Sequence, residues 1–388
     1  MEVKERLTRA LIRDLAHSGQ SMKILLVHPR LSVKGGGERV AIHSILAATK
    51  AGHEVSLLSE EFDEASFEDF YGCPGLFDKV NRSYYPAFKP VLGPRALLYQ
   101  RLIYHWLRIR KAVSEDSFDI VFSTQDIGYV PSTHAPVIQY CYFPEYFSHL
   151  QTSSSPVWRL YYRPASAYYR NRVRRVGILL SVSDFTRGFV AKKWKRDSKT
   201  VYPPCPVEAF SEFSKVQPRE NLVVTIGRIV PEKRFHLFVE LARIVPKTKF
   251  VAIGSLSDET SAYYERLKRI APENVSFVLS PLRKARDILG RAMAYVHCAE
   301  NEHFGITIVE AMAAGCVPIV HDSGGPREIV TSDVGFRWSD LSAAARQIVM
   351  LSENDALRRE LSAASSVRAR QFRPEVFESE ITRLLGMS

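Results

Sequence analysis

The sequence predicts an α/β protein in which two open parallel sheets are joined by a short proline-rich linker. Three observations carry this prediction. An apolar strand, a glycine loop and a helix follow one another over residues 23–50. The same order restarts at residue 222, and between the two stretches residues 202–206 hold three prolines, which suit neither a helix nor a central strand. Strands that alternate with helices favour parallel sheets with crossover helices.

The first half of the chain begins with a short polar helix in residues 1–20, which we expect to be an appendage. A strand follows at 23–27, then a loop that ends in three glycines, a helix at about 38–50 and a strand at 55–58. Residues 61–118 give no clear pattern beyond one aromatic and basic stretch. Further buried-type strands are predicted at 119–123, 137–141 and 178–182.

The second half repeats the pattern with strands at 222–226, 249–253, 275–278, 294–297 and 317–320. Helices are predicted near 235–244 and 259–270, and over 306–314 with Gly315 as its stop. The predicted organisation is an appendage at 1–21, an N-terminal Rossmann-like domain at 22–202 and a C-terminal Rossmann-like domain at 203–371. A last helix near 372–388 is expected to pack back on the first domain.

The totals are those of a globular protein with ample core: 388 residues, 46% of them hydrophobic and 24% charged. No apolar run approaches the roughly 18–20 residues that span a bilayer. The charged first residues do not resemble a secretory signal. Five scattered cysteines without a Cys-x-x-Cys pair favour a reducing compartment and argue against a zinc site or a disulfide framework.

The net charge of +11 is concentrated in residues 155–200, where twelve Lys and Arg face only two Asp. A solvated basic face, a surface for anionic lipid and a surface for nucleic acid all suit this excess. Residues 91–111 and 155–175 also interleave aromatic and apolar side chains with the basic ones. This mixture suits a membrane interface, although some of the aromatic residues could equally be core residues of the first domain.

The most informative stretch is Glu302-His303-Phe304-Gly305-Ile306-Thr307-Ile308-Val309-Glu310. Gly305 lies at the predicted helix start, where free N–H groups can hold a phosphate. Glu302 precedes the helix and Glu310 lies just over one turn inside it, within reach of a diol on the same ligand. A phosphate cradle between two diol-binding carboxylates suits a sugar nucleotide. The alternative is an amphipathic core helix with two solvated glutamates.

Three loops follow strands where α/β proteins bind ligands. In residues 227–234, Arg228 and Lys233 are cations that could clamp a diphosphate, or simply a solvated basic turn. Residues 35–37 are glycines that allow close backbone approach, but the loop matches neither the dinucleotide fingerprint nor a P-loop. Residues 323–326 are either a turn or a wall of the same cleft.

Taken together, these motifs resemble the retaining glycosyltransferases of family 4, which have the GT-B fold. The likeness rests on the two-domain β/α layout, the glycine loop, Gly-Arg-x-x-Pro-Glu-Lys at residues 227–233 and Glu-x7-Glu at 302–310, and it covers the chain after Met22. It implies two Rossmann-like β/α/β domains facing each other across a cleft.

A narrower likeness is carried by residues 127–129, 139–144, 201–205, 303–306 and 322–326. These segments are similar to those of the GDP-mannose-dependent α-1,2-mannosyltransferases that extend lipid-linked oligosaccharides. The resemblance implies a hexosyltransferase that moves mannose from GDP-mannose to a lipid-linked saccharide or polyprenyl acceptor. It also implies a cytoplasmic protein held peripherally at the cytosolic face of a membrane.

By this resemblance, Arg228 and Lys233 bind the diphosphate and stabilise the leaving group, and Glu302 holds sugar hydroxyls or steadies charge at the anomeric carbon. Glu310 holds the ribose hydroxyls. The remaining donor-binding residues expected are Gly36, Gly37, His303, Phe304, Gly305, Ile306 and Thr307. The resemblance also implies that no metal or other cofactor is needed, and no carboxylate cluster in the sequence suggests a metal site.

One position departs from the family pattern. Many relatives place a histidine after the strand at 137–141, where this chain has Tyr142. A tyrosine can hydrogen-bond a sugar hydroxyl, but it does not titrate near neutral pH. Tyr142 is therefore expected on the acceptor or sugar side with a changed role.

Other functions compete with this one. A UDP-sugar donor and a sugar-nucleotide epimerase would both use the same fold, and the epimerase would need no acceptor. A nucleic-acid-binding protein would explain the basic excess but would not need Glu302 and Glu310, and no nucleic-acid motif is present, so no nucleic-acid partner is expected. The anionic membrane surface is expected to contact residues 91–111 and 155–175.

Overall fold

The structure is a computed structural model that describes residues 2–17, 20–91, 97–144, 156–215, 218–256, 261–279 and 282–386. It divides into two compact units. Unit 1 holds Met1–Pro204 and Glu375–Ser388, and unit 2 holds Cys205–Pro374. The division falls two residues after the one predicted from the proline-rich segment, and residues 1–21 belong to unit 1.

Unit 1 is built on a parallel sheet with the order β3-β2-β1-β4-β5-β6-β7 among the described residues. Its strands are β1 Lys23–Val27, β2 Glu54–Glu60, β3 Asn81–Tyr85, β4 Ile120–Ser123, β5 Val137–Cys141, β6 Ile178–Ser181 and β7 Lys199–Thr200. Its helices before the linker are α1 Glu2–His17, α2 Gly36–Lys50, α3 Glu64–Tyr71, α4 Leu97–Glu115, α5 Pro156–Arg175 and α6 Asp184–Trp194.

Unit 2 is built on a second parallel sheet with the order β10-β9-β8-β11-β12-β13. Its strands are β8 Glu220–Arg228, β9 Lys249–Ser255, β10 Val275–Leu279, β11 Ala292–His297, β12 Val317–His321 and β13 Phe336–Trp338. Its helices are α7 Glu208–Ser211, α8 Phe235–Ile244, α9 Ser261–Ile270, α10 Leu282–Arg291, α11 Ile306–Ala313, α12 Pro326–Ile329, α13 Leu341–Glu353 and α14 Asp355–Ala369. The helix α15 Pro374–Leu384 returns to unit 1. Two parallel-sheet α/β units confirm the predicted fold class.

The buried strands form where the sequence has continuous apolar runs. β1, β4, β5 and β6 are buried along almost their whole length, as expected for strands covered by helices on both faces. Three strands that the sequence pattern did not predict, β3, β7 and β13, lie at sheet edges among the described residues.

The helix α1, expected to be an appendage, packs on unit 1. Ile12 is only 2% exposed, and Thr8 lies so close to Gly177 that a Cβ there would approach the Thr8 Oγ1 to 2.2 Å. Gly177 immediately precedes β6. The helix therefore uses a narrow apolar stripe to cover the amino end of that strand.

The helix α15 is fixed to unit 1 by charge and by an aromatic contact. Glu378 accepts from Lys50 at 2.6 Å and lies 2.8 Å from the Nδ1 of His43, both on α2. Phe377 is buried and packs edge-on against Tyr140 of β5. The return of the chain therefore adds core contacts to unit 1.

Within the described ranges, none of the helices is long and apolar enough to pass through a bilayer. The longest helices, α4 and α5, carry many arginines.

Candidate active site

The predicted site residues of unit 2 lie on loops at one edge of its sheet. β8 ends at Arg228 and β11 ends at His297, and the two strands are parallel neighbours. Their carboxyl ends are therefore adjacent, which is where open α/β sheets bind ligands. A 3-10 turn at Pro231–Lys233 leads from β8 into α8, with Arg234 in the left-handed conformation at φ 55°.

The two loops are joined by ion pairs. The Lys233 Nζ donates a hydrogen bond to the Glu302 Oε2, and both side chains are partly buried. Arg234 donates to Glu300 at 2.9 Å in the same pair of loops. Lys233, which the sequence pattern presents only as a phosphate clamp, is thus also the partner of Glu302.

A buried polar chain behind Glu302 was not predicted. The His297 Nε2 lies 3.4 Å from the Glu302 Oε2, and its Nδ1 lies 3.3 Å from the hydroxyl of Tyr295. That hydroxyl is 2.8 Å from the Thr307 Oγ1 in the first turn of α11. The sequence does contain a sign of this chain. Tyr295 and His297 are two residues apart on β11, so they lie on one face of the strand at its carboxyl end.

The surroundings of Glu302 favour its charged form. Burial by itself would raise the pKa of Glu302, but the contact with His297 and the charge of Lys233 outweigh it and hold the pKa well below its usual range. The carboxylate is therefore ionised at neutral pH. It can accept hydrogen bonds from sugar hydroxyls or face a developing positive charge.

The start of α11 is built as an open helix terminus. Gly305 is its N-cap at φ 106°, and no side chain caps the helix. Any other residue would be strained here, because L side chains rarely adopt this φ, and an added Cβ would also push against the Ile308 side chain. The first N–H groups, those of Ile306 and Thr307, have no carbonyl within the helix to bind, so they can receive an anion.

Of the other residues predicted near this terminus, Glu310 and His303 place polar side chains there, whereas the Phe304 side chain lies in the core. Glu310 is a buried carboxylate on α11, and His303 is half-buried in the preceding loop. Phe304 is buried and packs edge-on against Phe372 with ring centroids 5.5 Å apart. Its side chain belongs to the core, so any ligand contact from Phe304 is left to its backbone.

Residues 323–326, in the turn after β12, hydrogen-bond to the loop that carries Glu302 and pack against it. Gly325 donates to the Glu302 carbonyl at 2.8 Å, and the Ser323 Oγ accepts from the Asn301 N–H at 2.8 Å. A Cβ on Gly324 would lie 2.4 Å from the Glu302 carbonyl oxygen, and one on Gly325 would lie 2.4 Å from that of His303. The two glycines therefore allow this loop to sit directly on the turn after β12.

Arg228 is exposed, and among the described residues no acidic side chain pairs with it. Its charge is available to a ligand at the same edge as Lys233 and the start of α11. An Arg, a Lys and an open helix terminus suit a diphosphate, and Glu302 and Glu310 suit hydroxyl groups.

In unit 1, Gly36 and Gly37 are the first residues of α2, and tyrosines hold the loop that precedes it. The Tyr142 hydroxyl donates to the Gly37 carbonyl at 2.8 Å, and the Tyr71 hydroxyl donates to the Gly35 carbonyl at 2.7 Å. Burial raises the pKa of Tyr142. Tyr142, expected near the sugar, thus has a structural partner for its hydroxyl proton.

A buried acid also supports the glycine loop and was missed by the sequence pattern. The Glu38 carboxylate accepts from the Gly35 N–H at 2.7 Å and lies 3.7 Å from the His28 Nε2. The His28 Nδ1 lies 2.9 Å from the Thr124 Oγ1. Burial would raise the pKa of Glu38, but His28 and the Gly35 amide lower it overall.

The two aromatic and basic segments correspond to α4 and α5, and each has an exposed and a buried side. Residues 92–96 and 155, and the Trp158 side chain, lie outside the described part. Leu102 and Tyr169 are core residues, as the alternative interpretation expected. Among the described side chains of α4 and α5, the exposed large apolar residues are Ile103, Leu107, Val157 and Leu160.

Among the described residues, no three His, Cys, Asp or Glu side chains come together as a metal site. The five cysteines all lie in the described ranges, and no disulfide joins any of them.

Comparison with known proteins gives two family matches that together span most of the chain. Residues 34–209 match the model "Glycosyltransferase Family 4", and residues 207–367 match "Glycosyl transferases group 1". The border between the matches lies near the border between units 1 and 2.

Several curated relatives share the name GDP-Man:Man(3)GlcNAc(2)-PP-Dol alpha-1,2-mannosyltransferase. The Xenopus laevis protein is 26% identical over 81% of this chain and 76% of its own length. The Yarrowia lipolytica protein is 30% identical over 50% of this chain, and that match spans only 36% of the relative. Among solved structures, a glycosyltransferase from Rickettsia africae superposes with a TM-score of 0.70 at 14% identity, covering 95% of this chain and all of that one.

Proposed function

The chain belongs to the glycosyltransferases, with a family 4 domain followed by a group 1 domain, and we propose that it transfers mannose from GDP-mannose to a lipid-linked saccharide. The observation that carries the proposal is the set of groups at the carboxyl edge of the unit 2 sheet. Arg228 ends β8, the Lys233–Glu302 pair joins the two adjacent loops, and the open start of α11 and Glu310 follow in the helix after them. The relatives named as GDP-Man-dependent mannosyltransferases support the donor and the acceptor class.

In this proposal, the donor diphosphate contacts Arg228, Lys233 and the N–H groups at the start of α11. An ammonium carries three N–H donors, so Lys233 can bind a phosphate oxygen while it keeps its bond to Glu302. Glu310 accepts from the ribose hydroxyls. Glu302 accepts from hydroxyls of the transferred sugar, and Gly36 and Gly37 at the start of α2 are proposed as further donor-binding residues.

The reaction breaks the bond between the anomeric carbon and the diphosphate oxygen and forms a bond from that carbon to an acceptor hydroxyl oxygen. We propose retention of configuration by attack on the face that the diphosphate leaves, with the acceptor proton passing to the departing phosphate oxygen. No side chain of the predicted site then acts as a nucleophile. Arg228 and Lys233 offset the charge of the leaving group, and Glu302 faces the positive charge at the anomeric carbon.

No metal ion takes part in the proposed reaction. Two cations and a helix terminus already neutralise the diphosphate, and we expect turnover to survive a strong chelator. A large loss of activity in EDTA that added Mg²⁺ restores would contradict this part of the proposal.

We further propose that the protein works peripherally at the cytosolic face of a membrane. The exposed Ile103, Leu107, Val157 and Leu160 lie on helices rich in arginine, a combination that inserts shallowly between anionic headgroups. Flotation with anionic and with neutral vesicles tests this. Binding to anionic vesicles alone supports the proposed membrane contact, and binding to neither kind of vesicle would contradict it.

Nucleic acid is not an expected partner. Tight binding of duplex DNA or RNA at physiological salt would contradict this expectation.

The donor is tested by thermal shift with GDP, GDP-mannose, UDP, UDP-glucose and UDP-N-acetylglucosamine. A ligand at 100 times its Kd adds about 2.7 kcal/mol to stability, which is readily seen. Stabilisation by the two guanine compounds alone supports the proposal. Stabilisation by the uridine compounds would indicate a glycosyltransferase that uses a UDP-sugar donor. Conversion of a sugar nucleotide in the absence of an acceptor would indicate an epimerase.

A further inference from the structure

An apolar groove lies between α4 and α5 in unit 1. It encloses about 400 Å³, within the range of about 300–1,000 Å³ that small-molecule sites occupy. Its walls are mainly aliphatic and aromatic. They include Leu102, Ile103 and Trp106 of α4 and Pro164, Tyr168 and Arg172 of α5. Two helices that cover a sheet usually close against each other, so an open apolar channel between them calls for an occupant.

The groove lies beside the carboxyl edge of the unit 1 sheet. Tyr168 donates its hydroxyl proton to the Gly128 carbonyl at 2.8 Å, in the 3-10 turn Ile127–Tyr129 that follows β4. A Cβ on Gly128 would lie 3.0 Å from the Leu102 Cδ2, so the same turn also touches α4. Residues from both walls therefore meet the edge at which α/β domains hold their ligands.

One positive charge lines the groove. Arg172 is only 5% exposed, lies over the Tyr168 ring at 4.6 Å and donates to the Val130 carbonyl and the Ser132 hydroxyl. Among the described residues, no carboxylate pairs with it, and its Nε has no hydrogen-bond acceptor. A buried cation without a counter-charge is costly and favours an anionic ligand.

We propose that this groove binds the isoprenoid chain of the lipid-linked acceptor next to its phosphate, with Arg172 facing the anionic end. The inference rests on the proposed function, which supplies a lipid-linked substrate. The apolar walls fit the chain, the buried guanidinium fits the charged head, and the groove lies beside the carboxyl edge of the unit 1 sheet, where α/β domains hold their ligands. Inorganic phosphate alone would not use the apolar walls.

Two residues of α4 offer a matched test. Ile103 lines the groove and is 56% exposed, whereas Leu107, one turn further on, is 53% exposed and does not line it. Ile103→Ser and Leu107→Ser remove similar exposed apolar surface, so both variants should fold. General adhesion to lipid should fall equally in both.

The direct experiment is calorimetric titration of the full chain with farnesyl phosphate, dodecyl phosphate and inorganic phosphate. We expect farnesyl phosphate to bind, Ile103→Ser to weaken it about fivefold or more, and Leu107→Ser to change it less than about twofold. Equal effects of the two substitutions would contradict the proposal that the groove binds the isoprenoid chain. Equal binding of inorganic phosphate, or of the straight-chain dodecyl phosphate, would overturn the isoprenoid assignment.

A second readout separates the groove from the proposed function. The thermal shift with GDP-mannose reports on unit 2 and should be the same in wild type and Ile103→Ser. If that shift is present but farnesyl phosphate does not bind, the groove inference fails alone. The opposite result is that GDP-mannose gives no shift while farnesyl phosphate binds and Ile103→Ser weakens that binding as expected. That result would contradict GDP-mannose as the donor and would still support isoprenoid binding in the groove.

Discussion

Glu302 is a carboxylate whose charge depends on its neighbours. Its folded pKa is held below the unfolded value near 4.3, because Lys233 and His297 outweigh the effect of burial. A depressed carboxyl pKa adds stability that is fully present above the unfolded pKa and is lost as the pH falls toward the folded one. The pair therefore stabilises unit 2 at neutral pH and less so in acid.

Lys233→Met should test this linkage. Without the ammonium, burial and His297 alone set the pKa of Glu302, and we expect a loss of about 1–3 kcal/mol in unfolding free energy at pH 7. The loss should shrink below about pH 4.3, where unfolded glutamate becomes protonated. Urea denaturation at pH 7 and pH 3 measures both values. Lys268→Met breaks an exposed pair with Glu265 and is the control; an equal loss there would contradict the argument.

Arg228 gives a sharper test of chemistry, since it is exposed and unpaired among the described residues. Arg228→Ala should lower kcat roughly 10²–10³-fold, as the loss of one preorganised charge contact does elsewhere, with little change in the melting temperature. Steady-state kinetics with GDP-mannose and a lipid-linked acceptor provide the measurement. Arg291→Ala, at the amino edge of the same sheet, should keep near-normal turnover. Similar kcat values in the two variants would remove Arg228 from the mechanism.

At this scale the sequence predicts which side chains matter better than what they touch. Arg228, Lys233, Glu302 and Glu310 follow from motif spacing. The bond between Lys233 and Glu302 does not, because it joins loops 69 residues apart that only the sheet brings together. The hydroxyl of Tyr142 likewise binds Gly37, a partner 105 residues away.

Among the elements, the turn after β12 determines where the Glu302 loop lies. Gly325→Ala places a Cβ 2.4 Å from the His303 carbonyl oxygen, so the loop must move. We expect a cost of about 1–3 kcal/mol in stability and at least a tenfold loss of donor affinity, since Glu302 moves with the loop. Donor titration followed by thermal shift measures both.

Gly188→Ala is the matched control for that substitution. Gly188 lies in α6, where an added Cβ meets nothing within 4 Å. Alanine should stabilise this helix by up to about 1 kcal/mol without touching donor affinity. If Gly325→Ala also bound donor normally, the loop would not be positioned by the close glycine contact.

The packing of α1 is tested by two leucine-sized positions on one helix. Ile12 is 2% exposed and Leu7 is 64% exposed. Ile12→Ala should cost about 2–5 kcal/mol, because it leaves a cavity, and Leu7→Ala should cost less than about 0.5. Chemical denaturation compares them. Equal, small losses would return α1 to the role of an appendage.

The elements that are most buried are also the ones that the sequence predicts best. Strands with continuous apolar runs, such as β1, β4 and β11, are found where the pattern predicts them. The strand β3 alternates weakly and β13 has only three residues, so their pairing comes from the neighbouring strand rather than from their own sequence. The amphipathic stripe of α1 is narrow, and its burial depends on Gly177 far along the chain.

For the whole molecule, the matched families and the structural likeness confirm the predicted glycosyltransferase and its GT-B fold. The restart of the β/α pattern after the prolines was enough to predict two units. The choice of GDP-mannose and of a lipid acceptor remains a proposal, because no motif in the sequence reads the base or the acceptor directly.

The return of α15 to unit 1 has a consequence for how the protein is made on the ribosome. Unit 2 is one continuous segment, so it can fold as soon as it emerges. Unit 1 receives its last helix only after all of Cys205–Pro374 has been synthesised. At typical translation rates this is a delay of roughly 10–30 s. During that interval the apolar surface that Phe377 later covers is exposed in the nascent chain, and a chaperone that binds there would protect it from aggregation.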